Sequence, residues 1–347
     1  MAAPKKKREY MPSISWHVGA HLSGVLVLAL GYVQPARVIT FLRWSLFAFF
    51  LTASLDVVLS RYHLWKFEPI TPQPKRFALV TGATAGLGRE IAYLLAEKKY
   101  SLVLVGRHEA ILTRMRSEME FVNKPIAVEF CVCDLSTSAG IDTLLDFLKE
   151  KNLVIDILVN AASDANADGT PFHEIQSDRI DGMLQVNVNA MVRITHAVTQ
   201  GMVTRGAGRV LNIATLGSVA STPSHAIFGA AKAFVTSFSQ AINYELRATG
   251  VTATSFLAGV LEVNVNDPIT ANKPLATAEY YPWVVHPKDA AAFAVDALFD
   301  AKEVAYDAYL NQLWAFLLRA FVPTRVGQAL VAIAGHAPSQ AWAQVKR

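Results

Sequence analysis

The chain is poor in cysteine and charge and has no repeats, and each lack excludes something. Its 347 residues include two cysteines, Cys131 and Cys133. They alternate in Ala127-Val128-Glu129-Phe130-Cys131-Val132-Cys133, so both point to one face of a strand and read as core packing. A disulfide framework is excluded, and without further cysteines no metal site is expected. Charged residues make up 17% and the formal net charge is +4. Lys5, Lys6, Lys7 and Arg8 supply that excess, which leaves the rest of the chain formally neutral. No nucleic-acid-binding surface is therefore expected. Between Tyr10 and Ala36 there is no Asp, Glu, Lys or Arg. No low-complexity segment and no Arg- and Ser-rich transit peptide is evident.

What is abundant is apolar surface. Hydrophobic residues make up 52% and the mean hydropathy is +0.29, which points to membrane segments. The uncharged run is most apolar at Val25-Leu26-Val27-Leu28-Ala29-Leu30. A second run, Val38 to Ser60, is broken by Arg43 and Asp56. A bilayer span needs about 20 residues. The expectation is a helical hairpin over about 14–34 and 38–60: two spans, or one span and a helix lying in the interface. The basic tail 1–9 resembles a nuclear localisation run but reads as the basic flank of a membrane segment. Pro69, Pro72 and Pro74 stiffen a linker at 67–75. A domain at 76–300 follows, then an extension at 301–347. The stretch Tyr309 to Phe321 is apolar and too short to span; core helix, membrane-dipping helix and partner contact all remain open.

The domain begins with an apolar strand, Phe77-Ala78-Leu79-Val80, then Thr81-Gly82-Ala83-Thr84-Ala85-Gly86-Leu87-Gly88, then a helix with Ile91, Leu94 and Leu95 on its apolar face. Strand, glycine turn and helix form a pyrophosphate site: glycines let the backbone approach, and the helix N-terminus offers free N–H groups. Strands are predicted at 77–81, 101–105, 126–133, 154–159, 209–214 and 251–257, with the longest helices near 175–204 and 226–248. That alternation predicts an α/β fold, a Rossmann-like doubly wound parallel sheet behind the membrane hairpin. The T-G-x-x-x-G-x-G spacing resembles the short-chain dehydrogenase/reductase family over roughly 76–300. The N-terminal hairpin is similar to the branch of very-long-chain 3-oxoacyl-CoA reductases and hydroxysteroid dehydrogenases.

The resemblance implies a dinucleotide held by Gly82, Thr84, Gly86, Leu87 and Gly88. Strand two ends at Gly106-Arg107, where an acid would take the ribose hydroxyls of NAD. A guanidinium there pairs with a 2′-phosphate, so the expected cofactor is NADP(H). The family places Asp134 against the adenine and a turn at Asn160-Ala161-Ala162-Ser163 beneath the cofactor. At the chemical end the family uses Asn, Ser, Tyr and Lys. These positions fall on Asn187, Thr215, Phe228 and Lys232, with Lys232 also holding the cofactor ribose. Phenylalanine has no proton to give. The Pro-Gly after strand six falls on Ala258-Gly259, and the Thr beyond it on Val263. His225 is the first substitute proton donor, and Ser221 and Ser224 are poorer ones.

Two functions follow. One is a membrane-held protein that binds NADP(H), is catalytically impaired and serves as a subunit or scaffold of a membrane assembly. The other is an active NADPH-dependent reductase of lipid-like carbonyls, of 3-oxoacyl-CoA or steroid type. Membrane lipid and protein subunits are the partners expected, and a homo-oligomer is compatible with either reading. The expected location is a membrane, that of the endoplasmic reticulum or the mitochondrial inner membrane.

Overall fold

The computed structural model describes residues 69–165, 170–223, 225–261 and 284–320, with isolated helical positions between Ile39 and Ser54; the side chains of 317–320 are not described. The chain divides into two compact units, Met1–His63 and Leu64–Arg347. In the first, Ile39, Trp44, Phe47 and Leu51 expose apolar side chains, and the Trp44 and Phe47 rings meet edge-on at 5.8 Å. Among the described residues no helix is long and apolar enough to cross a membrane. The expected spans lie almost wholly outside the described residues.

The second unit is built on a parallel seven-stranded sheet in the order β3-β2-β1-β4-β5-β6-β7. The strands are β1 (Arg76–Thr81), β2 (Ser101–Gly106), β3 (Val128–Val132), β4 (Val154–Asn160), β5 (Gly208–Thr215), β6 (Val251–Ala258) and β7 (Val304–Tyr306). The six predicted strands are all present. β7 has only three residues, too few to show a period of two.

Helices cover both faces, which is why β1 and β2 read as nearly continuous apolar runs, while β4, β5 and β6 bury the polar side chains of Asp156, Arg209, Asn212 and Thr254 among apolar ones. Ala78 and Val80 of β1 and Leu102 and Leu104 of β2 pack on α1 (Gly86–Glu97), α2 (Glu109–Val122) and α7 (Pro287–Phe299). Phe77, Leu79, Val103 and Val105 point the other way, toward α3 (Ser138–Glu150) and α5 (Met191–Arg205). Two further helices complete this side: the short α4 (Ser177–Leu184), and the 20-residue α6 (Ala226–Glu245), which packs Val235 on Ala214 and Leu257. α4 runs into α5 through a π turn at Gln185–Ala190, and α5 ends on Gly206 in the left-handed region at φ 71. The register of β1 against β4 slips by one residue at Asp156, whose carboxylate accepts from Arg76 at 3.0 Å and Arg205 at 3.4 Å.

The last helix among the described residues, α8 (Tyr309–Ala320), is inverted relative to its composition. It buries Asn311 and Ala315 and leaves Tyr309 82% and Leu310 73% exposed. A core helix would do the opposite, so that reading of the tail is set aside. β1 has β2 on one side and β4 on the other, so the winding reverses there. Ligands of such sheets bind outside the carboxyl ends of the strands at that reversal.

Candidate active site

The carboxyl ends of β1 and β4 are stapled together by Thr81. Its hydroxyl donates to the Val159 carbonyl at 3.3 Å and accepts from the N–H groups of Ala161 and Ala162 at 3.1 and 3.2 Å. Gly82 stands at φ 66, and a Cβ there would lie 2.8 Å from the Ala162 backbone. A Cβ on Gly88 would lie 2.5 Å from the Gly82 carbonyl, so the first turn of α1 seats directly on the glycine turn. Gly86, at φ 54, faces open space. Ala85 caps α1 without a side-chain hydrogen bond, and the first turn carries no acid. Uncapped N–H groups above an open glycine suit a phosphate, so the cradle fits a dinucleotide. Leu87 is buried in the core and offers the ligand only its backbone N–H. Thr84 packs on Gly106, where a Cβ would lie 2.6 Å from the threonine methyl.

Arg107 follows β2 and is exposed, as is Asp134 after β3. The Asp134 carboxylate accepts from the Ser136 N–H at 2.9 Å, and chiefly that bond holds its pKa below the usual range. Asn160 turns inward. Its amide donates to Thr195 at 2.9 Å and Asn212 at 2.8 Å, and Asn212 continues to Ser239 of α6 at 2.9 Å. Its side-chain amide therefore links β4 to α5, β5 and α6.

The chemical end gathers on α6 and the ends of β5 and β6. Lys232 is 3% exposed, and its ammonium donates to the Ile213 carbonyl at 2.9 Å. Desolvation brings its pKa down to about 8. Phe228 stands one turn earlier, its ring centroid 5.6 Å from Lys232 Nζ. Thr215 donates its hydroxyl to the Ala258 carbonyl at 3.1 Å and accepts from the Gly217 N–H at 3.4 Å.

Asn187, in the π turn, is buried and bonded to the loop after β4 and to α4. Its amide donates to the carbonyls of Asp164 at 2.6 Å and Met183 at 2.9 Å, and its oxygen accepts from Ser163 at 2.9 Å. Ser163, a departure from the family's turn, thus gains a partner in Asn187. His225 is half-buried and precedes α6; its carbonyl accepts from the Gly229 N–H at 2.8 Å. Val263 and Ser224 lie outside the described residues.

Two residues in contact with this edge were not anticipated. Asp307, after β7, is fully buried and accepts from the Gly259 N–H, and Asn311 of α8 donates to it. The available signal was a lone acid in the apolar stretch Val304-Ala305-Tyr306-Asp307. Among the described residues no cluster of metal-ligating side chains occurs.

A family model described as short chain dehydrogenase matches residues 76–274, more than half of the chain. A very-long-chain 3-oxoacyl-CoA reductase of Pyrenophora tritici-repentis is 32% identical over 59% of this chain and 61% of its own length. The corresponding Laccaria bicolor reductase is 30% identical over 51% of this chain and 52% of its own. The chain thus spans little more than half the length of these reductases. A sulfoacetaldehyde reductase of Chromohalobacter salexigens is 34% identical over 53% of this chain and 72% of its own length. Among solved structures, a short-chain dehydrogenase from Sphingobium yanoikuyae in complex with NADPH superposes with TM-score 0.62 at 25% identity, covering 77% of this chain and 98% of that one. A 7beta-hydroxysteroid dehydrogenase superposes with TM-score 0.67 at 18% identity over 74% of this chain and 96% of its own, a likeness of fold.

Proposed function

This chain belongs to the short chain dehydrogenase family, and we propose that it is an active NADP(H)-dependent reductase of lipid-like carbonyls, held at a membrane. The reading as an impaired scaffold rested on departures gathered at the chemical end, Ser163, Thr215, Phe228, Ala258 and Val263, with Phe228 the lost proton donor. The similar curated proteins include several named as reductases, and they favour the active reading over it. The observation that carries the proposal is Lys232. A fully buried amine is costly to keep charged, and this one has a pKa near 8 beside the threonine strand at the ligand edge.

Bound NADPH supplies a hydride to a carbonyl carbon. Thr215 would orient the carbonyl oxygen by turning its one hydroxyl proton from the Ala258 carbonyl toward it, and Arg107 would pair with the cofactor's 2′-phosphate. Phe228 occupies the family's tyrosine position and has no proton to give. Lys232 holds an ammonium proton at neutral pH; it passes that proton to the new alkoxide and recovers one from solvent as the neutral amine. Asn187 and Ser163 hold the loop after β4. Membrane attachment comes from the apolar runs before residue 61, which suits a substrate with a long apolar tail.

The test is turnover of 3-oxoacyl-CoA and steroid ketones by the purified full-length protein with NADPH, followed across pH. The rate should fall as pH rises through about 8, because the ammonium is the active form. Lys232→Met should lose about 10² to 10⁴ in rate. Background turnover across the panel would return the scaffold reading. A pH limb that vanished in His225→Ala instead would move the proton to that histidine.

A further inference from the structure

The Ala258–Gly259 peptide, at the carboxyl end of β6, is held from both sides. Thr215 donates its hydroxyl to the Ala258 carbonyl at 3.1 Å. Asp307 Oδ2 accepts from the Gly259 N–H at 2.6 Å. The other carboxylate oxygen accepts from Asn311 Nδ2 at 2.7 Å. Asp307 has no exposed surface and Asn311 is 5% exposed, so water does not compete for these bonds. Burial raises the carboxyl's pKa on balance, and the bonds donated by Asn311, by Gly259 and by its own backbone N–H act the other way. The fit is tight: a Cβ on Gly259 would lie 2.5 Å from Asn311 Nδ2 and 3.0 Å from Asp307 Oδ2. A buried acid with two directed acceptor bonds, both reaching a backbone turn and its own helix, is expensive as packing alone.

We infer that Asp307 is a positioning residue for Thr215, acting through the Ala258–Gly259 peptide, with Asn311 orienting the carboxylate. The C-terminal extension thereby fixes the place of the Thr215 oxygen, whose one proton rests on the Ala258 carbonyl and turns to the substrate carbonyl in the proposed reductase; this role rests on that reading. The physical chain has three links. Asn311 fixes the Asp307 rotamer, Asp307 fixes the peptide plane, and the plane fixes where the Ala258 carbonyl points. Thr215 can hold its rotamer only while that carbonyl stays in place.

Amide hydrogen exchange on the full-length protein tests this without reference to activity. Gly259 reports the carboxylate bond directly, and Gly217 reports Thr215, whose hydroxyl accepts from its N–H. In Asp307→Leu both amides should exchange about tenfold faster, the loss of one hydrogen bond. Asp307→Asn should recover most of the protection, because one amide oxygen still accepts from Gly259 while Asn311 turns its own amide over. If Asp307→Leu does not fold, Asn311→Ala should raise exchange at both amides to a lesser degree. Faster exchange at Gly259 alone would overturn the inference, as would no change at either.

A second arm reads turnover. Asp307→Leu should lower kcat about tenfold to a hundredfold with little change in the KM for NADPH. In a Thr215→Ala background it should cost nothing further, because the two act in series. Additive losses would overturn the coupling. Absence of turnover in the parent protein would sink the reductase reading, and the exchange arm would still decide the latch.

Discussion

The Lys232 ammonium lies 5.6 Å from the centroid of the Phe228 ring, one helical turn away. A ring face stabilises a desolvated cation by about 0.5 to 2 kcal/mol. Phe228→Leu removes that face, so the lysine should give up its proton more readily. The high-pH limb of kcat should then move down by about 0.4 to 1.5 units. The pH–rate profile of the two proteins side by side measures the shift. A limb that stayed in place would show that the ring does not stabilise the ammonium.

Lys232 also links stability to pH. Burial lowers its pKa from 10.5 to about 8. Between those values the unfolded chain binds more protons than the folded one, so stability rises with pH across the window. The rise attributable to this side chain is about 3 kcal/mol. Lys232→Met should lack it. Denaturant unfolding of both proteins at pH 7.5 and pH 10 isolates the term, since the other titrating groups cancel. Parallel changes in the two proteins would mean that the lysine is not desolvated.

Arg107→Ala should lower the preference for NADPH over NADH about tenfold to a hundredfold, the loss of one charged contact. Gly106→Asp should not convert the site by itself. A Cβ there would lie 2.6 Å from the Thr84 methyl, and both cofactors should bind more weakly. Combined with Thr84→Ser, which removes that methyl, the aspartate should favour NADH. Fluorescence titration of the parent protein and these three variants with both cofactors checks the order.

Asp156 is buried between Arg76 and Arg205 at the register slip of β4. Asp156→Ala leaves both guanidinium groups, partly exposed, without this carboxylate. The expected cost is about 2 kcal/mol, between the values for exposed and fully buried pairs. Urea unfolding should show a lower midpoint with an unchanged slope.

Membrane attachment is read by alkaline carbonate extraction. The full-length chain should stay with the membrane pellet, and a chain beginning at Lys75 should be released. A shortened chain that stays in the pellet would assign attachment to α8, whose Tyr309 and Leu310 face outward. Release of the full-length chain would refute the membrane reading.

Local chemistry determined much of this protein. Short, mostly apolar runs between turns specify strands buried on both faces, and six were legible from them. The glycine turn was legible because Gly82 and Gly88 answer to contacts within their own βα unit and its neighbour. Lys232 and Phe228 were legible because one helical turn relates them whatever the fold does. The tertiary structure decided the rest. Asn160 and Asn187 are short amides whose direction depends on which strand or loop lies beside them, and both point into the scaffold. α8 carries an apolar composition, yet its inward face follows Asn311, because Asp307 needs a donor there. Asp307 meets Gly259 across 48 residues of chain, and only the pairing of β6 with β7 brings a buried carboxylate to that N–H. Sequence periodicity encodes which face of an element is apolar; it does not encode the partner that a buried polar atom finds across the sheet.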